Sequence, residues 1–244
     1  MEHWVDAKTA ARWASFPADE SPRPIVLLDD TVRIEGGFVG EDAKRAWTEG
    51  AVEPGVPVPP GVLSLLRGTP QSATHFALTI TDCAPVAAAF RCDRGLRELP
   101  AYRLRLTGLE GACIVLAPEV ECWWPADDAE GRATHGESAV VDDDGVTIDF
   151  PAFGGILTEF HHAEFQEHGT YVVGRAITTQ RTFPPGTAVV LVGLSRMVRG
   201  RLTAPLGGRA LITTSGQPVA VTTRTADSGE RPSSESDTPG TRFS

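Results

Sequence analysis

From residue 74 onward the apolar side chains recur at every second position, in short runs cut by glycine and proline. Phe76, Leu78 and Ile80 alternate with small or polar residues, and residues 85–90 form another short run. Tyr102, Leu104 and Leu106 share one face of a strand, with Arg103 and Arg105 on the other. A period of two places alternate side chains on opposite faces of a pleated strand, so such segments cannot bury their apolar set as helices. The turn Gly108-Leu109-Glu110-Gly111 returns the chain to residues 114–116, which predicts a hairpin. Further strands are expected at 146–150, 158–165, 170–178, 188–192, 197–203, 209–213 and 218–222. The predicted fold class is therefore mainly β, with antiparallel sandwich-like or barrel-like sheets.

The N-terminal stretch differs. Residues 4–16 carry Trp4, Ala7, Ala11 and Ala14 at helical spacing, before Ser21-Pro22-Arg23-Pro24 breaks the pattern. Residues 25–28 and 31–34 read as partner strands across the Asp29-Asp30 turn. Residues 40–47 read as a helix with acids in its first turn, and 62–66 as another helical turn. Two or three short N-terminal helices thus precede the sheets. Residues 1–222 form the β-rich region, read either as one domain or as two lobes (1–117 and 137–222) joined by the acidic connection 118–136. Residues 223–244 are almost entirely polar, charged, Gly or Pro and are expected to be a disordered tail.

Two stretches resemble an uncharacterised actinobacterial β-rich protein family. One is Phe90-Arg91-Cys92-Asp93-Arg94-Gly95 through Leu99-Pro100-Ala101-Tyr102; the other runs from Val192-Gly193 through Leu206-Gly207-Gly208-Arg209 to Gly216-Gln217-Pro218-Val219. Cys92 and Tyr102 stand where that family often has Thr and Trp. The resemblance covers about a quarter of the chain. It implies a bacterial origin and a β-rich fold, and carries no activity or site residue with it.

Composition narrows the function classes. The net charge of −10 argues against nucleic acid as a partner, because phosphate binding needs a positive surface. No stretch approaches the roughly 20 apolar residues of a membrane helix, and the acidic start does not read as a signal peptide, so a soluble cytoplasmic protein with no membrane partner is expected. Lys8 and Lys44 are the only lysines; arginine-rich usage of this kind is what a GC-rich genome encodes.

The motifs that could carry chemistry are weak. Cys83, Cys92, Cys113 and Cys122 are spaced by eight, twenty and eight residues, whereas structural zinc sites pair ligands across tight turns, so reduced thiols without metal and no cofactor are expected. Glu159, His161, His162, Glu164 and His168 contain no HExxH, and alternation lets only one of His161 and His162 join Glu159. His135-Gly136-Glu137 lacks the Pro-Cys-x-x-Cys that completes a zinc deaminase site. Gly36-Gly37-Phe38-Val39-Gly40 reads as a turn rather than a phosphate loop, because Glu41 and Asp42 would face the phosphate. Ser195 lacks the second glycine of a nucleophile elbow. Asp142-Asp143-Asp144-Gly145 suits a hairpin turn.

The arginines carry most of the remaining signal. Arg91, Arg94, Arg97, Arg103 and Arg105 cluster in an acidic chain, and Arg199 and Arg201 share a face of a later strand. Guanidinium forks hold carboxylates and phosphates through paired hydrogen bonds. Arg103, Arg105, Arg199 and Arg201 are therefore the candidate anion- or partner-binding residues, for an acidic protein segment or a small anionic ligand. The leading reading is a non-catalytic intracellular binding or interaction protein. The alternative is an enzyme on a β scaffold acting on a small anionic substrate. A deep pocket holding a histidine beside arginines would favour the enzyme.

Overall fold

The computed structural model describes residues 3–67, 76–124, 137–182 and 192–224. The expected connection 118–136 and tail 223–244 therefore lie largely outside the described residues. The architecture is mainly β: β1 (Ile25–Val26), β2 (Val32–Phe38), β3 (Val52–Pro54), β4 (Leu78–Cys92), β5 (Gly95–Leu106), β6 (Leu109–Leu116) and β7 (Cys122–Trp124) come from the first half. The second half supplies β8 (Ala139–Val141), β9 (Thr147–Gly155), β10 (Thr158–Glu167), β11 (Tyr171–Gln180), β12 (Gly193–Arg201), β13 (Ala210–Thr213) and β14 (Val221–Thr223). Three helices, α1 (Ala7–Ala14), α2 (Glu41–Thr48) and α3 (Pro60–Leu66), all lie near the N-terminus, as the sequence predicts.

The first half is a five-stranded sheet in the order β2-β6-β5-β4-β3. Its alternation is as read: Leu104 and Leu106 are buried, Tyr102 is half-buried, and Arg103 and Arg105 are exposed. Helices α2 and α3 cover one face, where Ala43, Ala46, Val62 and Leu66 pack on Leu78, Ile80, Leu104 and Val115. The other face buries Phe90, Leu99, Ala101, Ile114 and Leu116 around Leu27. The two short strands expected between 76 and 90 fuse into the single fifteen-residue β4. Pro85 is tolerated there because β3 pairs only with Leu78, Thr79 and Ile80, leaving this stretch of β4 at a sheet edge.

Two local expectations fail. Residues 25–28 do not pair with 31–34; β1 runs parallel to β7, while β2 runs antiparallel to β6. Gly36 and Gly37 are not a turn either, since they lie inside β2 opposite Gly111 and Glu110. A Cβ on Gly36 would collide with the Glu110 carbonyl, and its φ of +126° is open to glycine at little cost. Glycine here allows two backbones to cross closely.

The second half is a sandwich of β12-β9-β8-β14 against β10-β11-β13. Ile148, Phe150, Val172, Val198 and Leu211 form its centre. At one side β10 and β12 approach so closely that a Cβ on Gly200 would strike the Ala163 carbonyl. The aspartate run turns as expected, with the Gly145 N–H donating to the Asp142 carbonyl at 2.9 Å. The strand expected at 188–192 falls almost wholly outside the described residues, and the one expected at 197–203 begins earlier, at Gly193.

Side chains from the first half pack into the second. Helix α1 belongs in sequence to the first lobe, yet it packs on the second: Trp13 and Phe16 are buried with Tyr171, Val173, Ala210 and Ile212. Each such ring buried from water contributes about 1.5–3 kcal/mol. The Trp13 indole N–H donates to the Gly216 carbonyl at 3.1 Å, and Thr170 Oγ1 donates to the Trp13 carbonyl at 2.7 Å. The expected tail boundary also moves. Thr223 pairs with Val141, and Arg224 bridges to Asp142 and Asp149 at 2.8 and 2.5 Å, so both residues belong to the folded part. Among the described residues no helix is long and apolar enough to cross a membrane.

Candidate functional site

The four candidate arginines do not form one site. Arg199 and Arg201 sit on β12, where Arg199 donates to both oxygens of Asp149 at 2.8 and 3.0 Å and Arg201 to Asp144 at 3.1 Å. With Arg224 and Asp142 they make a balanced ladder of three cations and three anions. The hydrogen bond from Arg199 holds the Asp149 carboxyl below the usual range, and the Thr147 and Val146 N–H groups bring Asp144 to about 2. Arg103 and Arg105 lie on another sheet, and neither side chain makes an ion pair or hydrogen bond among the described residues.

The histidines are also dispersed. His161 sits at a register shift in β10, which breaks the simple alternation and leaves both it and His162 exposed. The His161 ring meets Thr179 Oγ1 at 2.9 Å. Glu159 is held by Arg181 at 2.5 Å and Glu164 by Arg175 at 2.7 Å, so both carboxylates are already neutralised. His168 stacks on Tyr171 with ring centroids 4.3 Å apart, beside a shallow groove shared with His3 and α1. Burial lowers its pKa.

The cysteines divide between the two faces of the first sheet. Cys83 and Cys113 lie on the helix-covered face, Cys92 and Cys122 on the other. All four are free thiols, and burial pushes Cys92 up to about 11 and Cys113 up to about 12, so both stay protonated at neutral pH.

The two stretches singled out in the sequence meet in space. Asp93 is 2% exposed and receives a bidentate pair from Arg23, at 3.1 and 2.5 Å. Its backbone N–H donates to Val26 and its carbonyl accepts from Val221, so it binds the N-terminal segment and β14 at once. Arg94 donates to the Gly207 and Arg209 carbonyls at 3.0 and 2.6 Å, while Arg23 Nε donates to Gly208 at 2.7 Å. A Cβ on Gly208 would overlap the Ala18 carbonyl, so glycine allows the N-terminal segment to lie flat on this loop. The junction is a charge-assisted interlock between the halves.

Above this interlock opens a cleft of about 220 Å³. Three distant segments wall it. Arg91 comes from the end of β4 and Leu28 from the segment after β1, fixed by the Leu28 N–H to the Arg91 carbonyl at 2.9 Å and the Arg91 N–H to Asp29 at 2.7 Å. Phe150, Pro151 and Phe153 come from β9, with Glu137 at the rim, and Phe153 is 59% exposed. The third wall is the turn following β13, from Thr213 through Ser215 and Gln217 to Ala220. In that turn the Gln217 N–H donates to Thr213 Oγ1 at 3.2 Å, and the Thr213 and Ser215 hydroxyls lie 2.8 Å apart. Gly216, at φ +81°, makes the turn possible, and a Cβ there would meet Thr9 of α1 at 2.5 Å. Helix α1 therefore braces one wall.

Sequence reading placed Arg91 in a general basic cluster and missed Glu137, Phe153, Thr213 and Ser215 as partners. The available signal was the pair of stretches 90–102 and 192–219, which supply Arg91, Asp93, Arg94, Gln217, Pro218 and Val219. Compared with protein-family models, curated proteins and solved structures, the chain matches none.

Proposed function

We propose that this chain is an intracellular, non-catalytic binding protein that takes a small ligand into the cleft between its two halves. The observation that carries the reading is the make-up of that cleft. Its walls are mostly apolar, a few polar groups stand among them, two walls are braced by hydrogen bonds independent of any ligand, and the third is the paired strand β9. Such preorganised, largely apolar concavities with few convergent polar groups are where small molecules bind. Among the described residues, His161 and His162 stand on β10 and His3 and His168 beside α1, and none of them lines the cleft. The four free thiols suit a reducing compartment.

The test is a small-molecule screen by thermal shift on the wild-type protein, Phe153→Ala and a His161→Ala, His162→Ala double variant. A true ligand at 100 times its Kd adds about 2.7 kcal/mol of stability, roughly 5–10 °C for a chain of this size. The expected hit stabilises the wild type and the histidine variant, loses its effect in Phe153→Ala, and is recovered unchanged after prolonged incubation. A hit indifferent to Phe153, or one converted to product, overturns the reading.

A further inference from the structure

We infer that the cleft selects a zwitterion: a small amino-acid-like molecule whose carboxylate is taken by Arg91 with the Thr213 and Ser215 hydroxyls, and whose ammonium is taken by Glu137. This rests on the cleft being the ligand site. Arg91 and Glu137 carry opposite charges and both line the same 220 Å³ space. Glu137 is exposed, and its side chain makes no ion pair or hydrogen bond among the described residues. A guanidinium has five N–H donors, enough for Arg91 to hold Asp29, at 4.0 Å, and a further partner besides a ligand carboxylate.

Charge decides against a simple anion. Among the described residues, the charged side chains that line the cleft are Arg91 and Glu137, and Asp29 behind Arg91 also meets Arg33 at 3.7 Å. A bare anion would gain Arg91 and be repelled by Glu137, whereas a molecule carrying both signs satisfies the two at once. The exposed Phe153 ring, with Pro151 and Pro218, then offers an apolar surface for the side chain. The volume corresponds to about seven waters at roughly 30 Å³ each, which suits a molecule of amino-acid size.

The experiment compares phenylalanine, N-acetylphenylalanine (anion only) and phenylalanine amide (cation only) by calorimetry on the full chain, with leucine as a second zwitterion. The free amino acid should bind at least tenfold more tightly than either blocked form. Glu137→Gln, at an exposed position that leaves the fold intact, should remove the preference over the acetylated form. Arg91→Gln, checked for an unchanged melting curve, should remove the preference over the amide. If the acetylated form binds as well as the free amino acid and binding still depends on Phe153, the zwitterion inference falls while the cleft reading stands. If none of the four binds but another molecule binds in a Phe153-dependent way, the inference likewise falls. If no Phe153-dependent ligand exists, both fall.

Discussion

On β5, Arg103 and Arg105 project from the sheet with no ion pair among the described residues; on β12, Arg199 and Arg201 stand in the same alternating pattern and are each clamped by aspartates. The difference lies in what the neighbouring strand presents. Arg199 is directly opposite Asp149 in the β12–β9 register, and paired residues of adjacent strands share a face at close range. Arg103 is opposite Ala84 and Ile114. Arg105 is opposite Asp82, but a register shift separates Ile80 from Asp82, and the two side chains make no ion pair. Alternation in a single strand fixes which way a charge points. Its partner is fixed by strands that can be fifty residues away.

The buried limit of the same comparison is Asp93, and the largest effect is expected there. Replacing Asp93 by Asn leaves the Arg23 guanidinium, 16% exposed, with a neutral amide instead of a bidentate carboxylate. Breaking a buried pair from one side costs about 3–5 kcal/mol, of which we expect about 3, a melting point lowered by roughly 6–12 °C. Urea unfolding checks the value, and a loss below about 1 kcal/mol would mean the junction is held by its main-chain bonds and packing, with the Asp93–Arg23 pair adding little.

Asp149→Asn should cost less, about 1–2 kcal/mol, because Arg199 and Arg224 are half-exposed and keep Asp142. The pH dependence follows from the lowered carboxyls. A group whose folded pKa lies below its unfolded value of about 3.9 stabilises fully above that value, and the contribution fades as pH falls through the folded pKa. Asp149 is lowered chiefly by its hydrogen bond from Arg199, and Asp144 to about 2 chiefly by backbone donors. Wild-type stability should therefore fall between about pH 4 and pH 2, and the Asp149→Asn protein should fall less steeply there. Parallel acid titrations of the two, followed by circular dichroism, read this directly.

How much was legible in the sequence follows the same division between local and distant. The hairpin at 102–116, the turn at 142–145 and helices α2 and α3 rest on neighbours in the chain, and their residue patterns predict them. The parallel pairs β1–β7, β3–β4, β11–β13 and β14–β8 join segments that no local pattern links. Helix α1 shows its apolar stripe in the sequence, but not that Tyr171 and Ile212 cover it. The cleft was hidden for the same reason: Arg91, Glu137, Phe153 and Thr213 are unremarkable where they stand, and the Asp93 interlock and helix α1 bring their segments together.

The smallest expected effect sharpens the comparison most. Arg103→Gln with Arg105→Gln removes two exposed cations that have no ion-pair partner among the described residues, so stability at pH 7 should change by no more than about 0.5 kcal/mol. The same double exchange at Arg199 and Arg201 strips the aspartate ladder of two of its three cations and should cost about 1–2 kcal/mol at low salt. Salt separates the two cases further. Screening weakens exposed ion pairs, so the deficit of the β12 variant should shrink between 0.01 and 1 M salt, as the Debye length falls from about 30 to 3 Å. The β5 variant has no such pair to screen and should follow the wild type throughout. Equal losses in the two variants would show that Arg103 and Arg105 are held by contacts of their own, and would remove them as a surface open to an acidic partner segment.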